Sequence, residues 1–150
     1  MLKEGDQAPD IRLANDSGEP FKLSDLKGKR VVLYFYPKAD TPGCTTEACE
    51  FRDDSKAFAK KGAAVVGISP DKPAAQAKFK QKYELPFTLL ADEEKAAAQA
   101  YGVWKEKNMY GKKVMGIERT TFVIGPDGKI EKIYNQVKAK GHAAAVLAKL

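Results

Sequence analysis

Residues Val31–Cys49 read VVLYFYPKADTPGCTTEAC. The first six, Val31–Tyr36, are apolar or aromatic without alternation. That pattern predicts a strand covered on both faces, as in a parallel or mixed central sheet. Pro37 ends it. Thr41 is a good helix N-cap and Pro42 suits the first helical position, so a helix is expected directly after a tight connection. The only two cysteines of the chain, Cys44 and Cys49, lie in this one strand–turn–helix unit, and the only histidine, His142, is far away near the C-terminus.

Downstream, Ala48, Phe51, Phe58 and Ala59 fall near one face of a helical stretch that closes at Lys60, Lys61 and Gly62. AVVGIS (64–69) reads as a second buried strand. DKPAAQAKFKQKYE (71–84) is a second helix, with Phe79 and Tyr83 one turn apart. FTLLAD (87–92) is a third strand. Asp92 is expected to cap a further helix, with Glu93 and Glu94 in a first turn whose dipole favours anions, and Gly102 closes it. TTFVIGPDGKIEKIY (120–134) is a hairpin around Gly125-Pro126-Asp127-Gly128. Gly141–Leu150 gives a last short helix, with His142 expected at its surface. Upstream, Ile11–Lys22 reads as an N-terminal hairpin around NDSGEP, followed by a short helical turn or loop in LSDLKGK. Strands alternating with helices, then a hairpin and a terminal helix, predict a three-layer α/β sandwich forming a single domain over residues 1–150.

The 150 residues carry a net charge of +6. The basic residues are interleaved with acidic ones. The densest spots are short: Lys27, Lys29 and Arg30; Lys60 and Lys61; Lys112 and Lys113. There is no long basic stripe and no zinc-finger spacing, so a solvated lysine-rich face is expected and no nucleic-acid partner. No stretch approaches the roughly 18 apolar residues of a membrane span. The opening MLKEGDQAPD has no apolar h-region, which points to a cytoplasmic protein. Two cysteines in a reducing compartment are inert core residues, metal ligands or redox groups. Zinc needs three or four ligands, and two cysteines with a distant His142 are too few, so no metal is expected.

With Thr41 as N-cap, Cys44 falls at the third helical position. The backbone N–H groups there have no intrahelical partners, and helix N-termini favour a thiolate. Gly43 leaves room for a small substrate to reach those groups. Activation then needs only geometry and a cation, not a histidine.

Pro37, Thr41 and Cys44 match the P-x-x-x-T-x-x-C signature of peroxiredoxins. GVWKEKNMYGKKVMGIERTTFVIGPDGKI (102–130) resembles the region carrying that family's second signature, an arginine just before a central strand, which here is Arg119. The chain is similar to the family from GDQAPDIRL to the last helix. YFYPKADTPGCTTEAC resembles the active-site segment of the peroxiredoxin Q group, also called bacterioferritin comigratory proteins.

The resemblance implies a thioredoxin-like sandwich and a thiol-dependent peroxidase without a bound cofactor. Cys44 would attack a hydroperoxide, either hydrogen peroxide or an organic one, and become a sulfenic acid. Thr41 would donate toward the sulfur or the peroxide, and its oxygen would accept the Cys44 N–H as a cap. Arg119 would hold the thiolate and the leaving oxygen's charge, and Pro37 would shield the sulfur. Glu47 is read as a first-turn dipole partner with no catalytic role. Cys49 resembles the resolving cysteine, closing a Cys44–Cys49 disulfide that thioredoxin or a glutaredoxin-type dithiol reduces. Members of the group vary here, some resolving from another helix and some not at all. The subgroup implies a monomer. Two other readings stand beside it: a thioredoxin-like disulfide exchanger, although those use C-x-x-C where this chain has C-x-x-x-x-C, and a non-catalytic thiol redox sensor.

Overall fold

The computed structural model describes residues 1–150, the side chain of Met109 excepted. The chain runs β1 (Arg12–Asn15), β2 (Pro20–Lys22), a 3-10 turn at Leu23–Leu26, β3 (Arg30–Phe35), α1 (Pro42–Asp53), α2 (Ser55–Lys60), β4 (Ala63–Ser69) and α3 (Pro73–Tyr83). It continues through β5 (Thr88–Ala91), α4 (Ala96–Ala100), β6 (Trp104–Met109), β7 (Lys112–Ile117), β8 (Thr120–Ile124), β9 (Ile130–Tyr134) and α5 (His142–Ala148). Seven strands form one mixed sheet in the order β2-β1-β5-β4-β3-β8-β9, and β6 and β7 form a separate two-stranded hairpin.

The unbroken apolar run of β3 has a direct physical cause. The strand pairs in parallel with β4 and antiparallel with β8, so it sits inside the sheet. Side chains alternate across a strand. Val31, Leu33 and Phe35 face one core, with Ala97, Ala98 and Tyr101 of the α4 region, while Val32, Tyr34 and Tyr36 face the other, with Phe51, Phe58, Phe79 and Val146 from four helices. Both faces are covered, so neither register position can be polar. The expected N-terminal hairpin forms as β1 and β2, and it joins the sheet by antiparallel pairing of β1 with β5. Among the described residues no helix is long and apolar enough to cross a membrane.

Local details depart from the expectation. The helix expected through Gly62 breaks at Asp54, whose backbone leaves helical geometry at φ −95° and ψ 6°. Asp53, Asp54 and Ser55 are poor interior helix residues because their side chains compete for backbone hydrogen bonds. The bend still turns Phe58 into the core. Asp92 does supply the acceptor for a helix start, taking the N–H groups of Ala97 and Ala98 at 3.1 and 2.9 Å. It does so across an intervening turn, so Glu93 and Glu94 lie ahead of α4 rather than in its first turn. The β6–β7 hairpin was not anticipated as strands. Its lysine-rich sequence lacks apolar alternation, and its turn is made by Tyr110 and Gly111, both at positive φ (52° and 77°).

Gly67 of β4 pairs with Tyr34 on β3. A Cβ built there would lie 2.9 Å from Leu89 Cδ2 and 2.9 Å from Tyr34 Cζ. The Tyr34 ring occupies that space and stacks on Phe51 at 4.7 Å between centroids. Gly67→Ala should therefore destabilise the fold by about 1–3 kcal/mol through overpacking. Urea denaturation checks this: the midpoint should fall while the slope of the transition stays unchanged.

Candidate active site

The strand-to-helix connection is held from below by a buried polar chain. Tyr36 Oη donates to Gln76 Oε1 at 2.6 Å, and Gln76 Nε2 donates to Ser69 Oγ and to the Leu90 carbonyl, both at 2.8 Å. Ser69 Oγ donates to Asp71 Oδ2 at 2.6 Å, and that oxygen accepts the Ala39 N–H at 2.7 Å. From α3, Lys82 Nζ and Tyr83 Oη reach Asp40 at 2.9 and 2.7 Å. Asp40 sits at φ +59°, a left-handed conformation that Asp tolerates better than most residues. Charges and hydrogen bonds on both sides of the loop thus fix where α1 begins.

α1 begins at Pro42, with Thr41 as the N-cap residue in extended geometry and its carbonyl accepting the Thr45 N–H at 2.8 Å. Neither expected role of the Thr41 hydroxyl is found: its oxygen does not cap the helix, and its one hydrogen goes to the Lys38 carbonyl at 2.8 Å rather than toward the sulfur. The hydroxyl closes the loop upon itself, and the Gly43 and Cys44 N–H groups are left without a side-chain cap.

Cys44 is 1% exposed, and Arg119 Nη2 donates to its Sγ at 3.3 Å. Arg119 is delivered by the chain between β7 and β8, where its carbonyl accepts the Val137 N–H at 2.9 Å. Its other arm, Nη1, meets Glu47 Oε1 at 2.6 Å. Glu47 is fully buried and its Oε2 has no partner. Burial pushes the Glu47 carboxyl up to about 7, with the Arg119 charge and hydrogen bond opposing that rise. Arg119 remains a cation: burial opposes its charge, but Glu47 and Cys44 outweigh that and raise it. Gly43 has a use beyond the one expected. A Cβ there would lie 3.1 Å from Arg119 Nη2, so the missing side chain makes room for the guanidinium itself. Pro37, half-buried, ends β3 as expected.

Arg119 and Cys44 therefore come together as expected, with Gly43 and Thr41 beside them in sequence. Cys49 does not join them in this conformation. Both cysteines are free and lie within α1, Cys44 buried and Cys49 half-buried. Five residues of regular helix give a rise of about 7.5 Å and a turn of about 140°. Their Cα atoms are then about 8–9 Å apart, beyond the ~7 Å reach of a disulfide.

Glu47 lies beyond the first turn of α1 and pairs with Arg119, so it is not the first-turn dipole partner expected. The available signal was its position three residues after Cys44, nearly one turn along the same face. His142 is not a surface residue. It is buried, shares a 2.7 Å hydrogen bond between Nε2 and Thr121 Oγ1, and stands edge-on to Phe51 and Tyr134. Among the described residues, no three of His, Cys, Asp and Glu are grouped as a metal site. A cleft of about 400 Å³ lies at the opposite end of the central strands, lined by Pro9, Leu23, Val31 and Ile124, and shares no residue with the surroundings of Cys44.

A thioredoxin-like sheet that sets a thiol in a helix's first turn under a half-buried guanidinium defines the peroxiredoxin class of thiol-dependent peroxidases. The model of the AhpC/TSA family matches residues 4–133, and the chain belongs to that family. It is 53% identical over 149 residues to peroxiredoxin Bcp of Bacillus subtilis, covering 99% of this chain and 95% of that one. It is 47% identical over 146 residues to peroxiredoxin Bcp of Escherichia coli, covering 97% and 94%. Among solved structures, a cysteine-to-serine variant of Xylella fastidiosa PrxQ superposes with a TM-score of 0.94 at 38% identity, covering 99% of this chain and 95% of that one. A cysteine-to-serine variant of Xanthomonas campestris peroxiredoxin Q gives 0.89 at 42% identity, covering 93% and 88%.

The burial of His142 has a measurable consequence. Burial, with the Arg119 charge adding to it, lowers its pKa from 6.5 to about 4. A histidine held neutral stabilises the fold fully above its unfolded value, and the stabilisation is lost as pH falls from 6.5 through 4. The loss amounts to about 3 kcal/mol at most. Glu47 acts in the opposite sense, since its raised value adds stability as pH falls from 7 toward 4.5. Comparing wild type with His142→Gln isolates the histidine. The wild-type advantage in urea unfolding should be largest above pH 6.5 and shrink toward pH 4.

Proposed function

We propose that Cys44 is the nucleophile of this thiol-dependent peroxidase and that Cys49 resolves it. The Cys44 thiolate attacks one oxygen of a hydroperoxide. The S–O bond forms as the O–O bond breaks, and the bonding pair leaves with the other oxygen, which takes a proton and departs as water or an alcohol. Cys44 is left as a sulfenic acid. The reading rests above all on one observation: Arg119 Nη2 at 3.3 Å from Cys44 Sγ, with its other arm tied to Glu47. A guanidinium there stabilises negative charge first on sulfur and then on the departing oxygen. The uncapped Gly43 and Cys44 N–H groups offer donors to the peroxide oxygens. Thr41 Oγ1, already donating to Lys38, keeps lone pairs that accept the hydroperoxide O–H. Pro37 shields the sulfur from water without adding a competing donor.

The Cys49 thiol then condenses with the sulfenic acid, forming the S–S bond and releasing water. Because the two residues cannot meet within a regular helix, α1 unwinds between Thr45 and Cys49 to let the bond form. The distal half of α1 has its own anchors: Glu50 Oε1 accepts the Gly141 N–H and Arg52 Nη1 donates to the Tyr83 carbonyl, both at 2.8 Å. Rearrangement beyond Cys49 has to break these. A dithiol protein of the thioredoxin or glutaredoxin type supplies the two electrons that reopen the disulfide. The enzyme works as a cytoplasmic monomer, with residues 1–150 as one domain.

A coupled assay with thioredoxin, thioredoxin reductase and NADPH tests the proposal on hydrogen peroxide and on an organic hydroperoxide. Cys44→Ser should abolish turnover with its fold intact, because serine neither ionises near neutrality nor oxidises. Cys49→Ser should form a sulfenic acid once, detectable by a trapping reagent and mass spectrometry, and then fail to cycle. Residual turnover by Cys44→Ser would refute the nucleophile, and full thioredoxin-linked turnover by Cys49→Ser would remove the resolving role.

A further inference from the structure

Cys49 stands at the head of a clamped segment. The three residues that follow it in α1 each reach a different element. Glu50 Oε1 accepts the N–H of Gly141, the residue that precedes α5, at 2.8 Å. Phe51 is fully buried and stacks on Tyr34 of β3 at 4.7 Å between ring centroids. Arg52 Nη1 donates to the carbonyl of Tyr83, the last residue of α3, at 2.8 Å. Asp53 Oδ1 accepts from Arg52 Nε at 3.0 Å and steadies the guanidinium.

The Phe51 contact belongs to the core. The contacts of Glu50 and Arg52 are of another kind. Both join a charged side chain of a half-buried residue to a main-chain group of another part of the chain. Each ties the stretch carrying Cys49 to a different helix, and each holds only while that stretch keeps its helical place. The half of α1 ahead of Cys49 is held separately, by Glu47 on Arg119 at 2.6 Å. With both halves held, the Cα atoms of the two cysteines stay about 8–9 Å apart. A sulfenic acid on Cys44 must then wait for the segment to open. A waiting sulfenic acid has a second fate. It takes one oxygen from a further hydroperoxide, whose O–O bond breaks and whose remainder leaves as water or an alcohol. The sulfur becomes a sulfinic acid, which thiols do not reduce.

We propose that Glu50 and Arg52 form a latch on Cys49 that sets how the Cys44 sulfenic acid divides between disulfide and sulfinic acid. This rests on Cys49 being the resolving cysteine. The S–S bond forms only from the opened fraction, so the rate of closure is that fraction multiplied by the rate of condensation. Loss of either contact makes local opening less costly and enlarges the fraction, whichever of the two steps is slow. Hydrogen bonds to ionised groups are the stronger kind, which gives two such contacts leverage over a short segment. The latch leaves the first attack alone. Among the described hydrogen bonds, neither Glu50 nor Arg52 reaches Cys44, Thr41 or Arg119.

The test mixes reduced enzyme with hydrogen peroxide, equimolar and then in excess, quenches at intervals, and separates sulfenic, disulfide and sulfinic forms by mass spectrometry. Wild type is compared with Glu50→Ala, Glu50→Gln and Arg52→Met. In Glu50→Ala and Arg52→Met the disulfide should close about 3–10-fold faster, and excess peroxide should leave less sulfinic acid. The first oxidation should stay within about twofold of wild type, since neither residue contacts the reacting atoms. Glu50→Gln keeps an oxygen acceptor for the Gly141 N–H and should close at a rate nearer wild type than Glu50→Ala. A merely structural role would lower the urea midpoint without moving the division between products. Closure at the wild-type rate in both Glu50→Ala and Arg52→Met would overturn the proposal. So would slower closure, because the contacts would then hold Cys49 toward Cys44 rather than away from it. A wild type that forms the sulfenic acid but no Cys44–Cys49 disulfide would remove the resolving role first, and the latch with it.

Discussion

The guanidinium of Arg119, shared between the Cys44 sulfur and the Glu47 carboxylate, is the contact on which the rest of the site depends. It joins positions 75 and 72 residues apart in sequence, one on the chain entering β8 and two on α1. Placing these charges inside the protein is costly, and the unpartnered Glu47 Oε2 adds to the cost. The pair is retained against that cost, and removing one member would leave an uncompensated buried charge. The arrangement also dictates its neighbours. A side chain at residue 43 would crowd the guanidinium, α1 must start where it does, and β8 must lie next to β3 so that Arg119 arrives over the first turn.

Everything around the loop from Pro37 to Thr41 serves that placement. The chain Tyr36–Gln76–Ser69–Asp71–Ala39 runs from β3 through α3 and the end of β4 back to the loop, with every link at 2.8 Å or less. Buried hydrogen-bond chains of this kind are stiff when fully satisfied. The same loop is clamped from α3 at Asp40. α1 carries both thiols on different faces, and forming a bond between them means undoing the helix that builds the pocket. In the proposed cycle the loop holds the attacking geometry and the helix opens to release it.

Much of this is written locally in the sequence. β3 and β4 are legible because strands covered on both faces must be apolar at every position, and the start of α1 is legible because Thr-Pro-Gly leaves few alternatives. The pairing of Cys44 with Arg119 is not local, and only the resemblance to a known family made it visible. The burial of Glu47 and of His142 is not legible in the sequence, for one shared reason. Polar residue types are usually exposed, and here each is buried by a partner distant in sequence, Arg119 for Glu47 and Thr121 with Tyr134 for His142. The Thr41 hydroxyl follows the loop rather than the helix because the Lys38 carbonyl is within reach, which depends on the fold of five residues together. The β6–β7 hairpin is not legible because its lysine-rich strands lack the apolar alternation that marks a strand.

The central claim is that Arg119 makes Cys44 reactive, and the first-turnover rate of Cys44 oxidation by hydrogen peroxide in Arg119→Met tests it most directly. Methionine keeps much of the side chain's bulk and removes its charge and all its donors. The rate should fall by about a hundredfold or more, as expected when a preorganised donor is lost from a site of developing charge. A rate within a few-fold of wild type, in a variant that remains folded, would contradict the account.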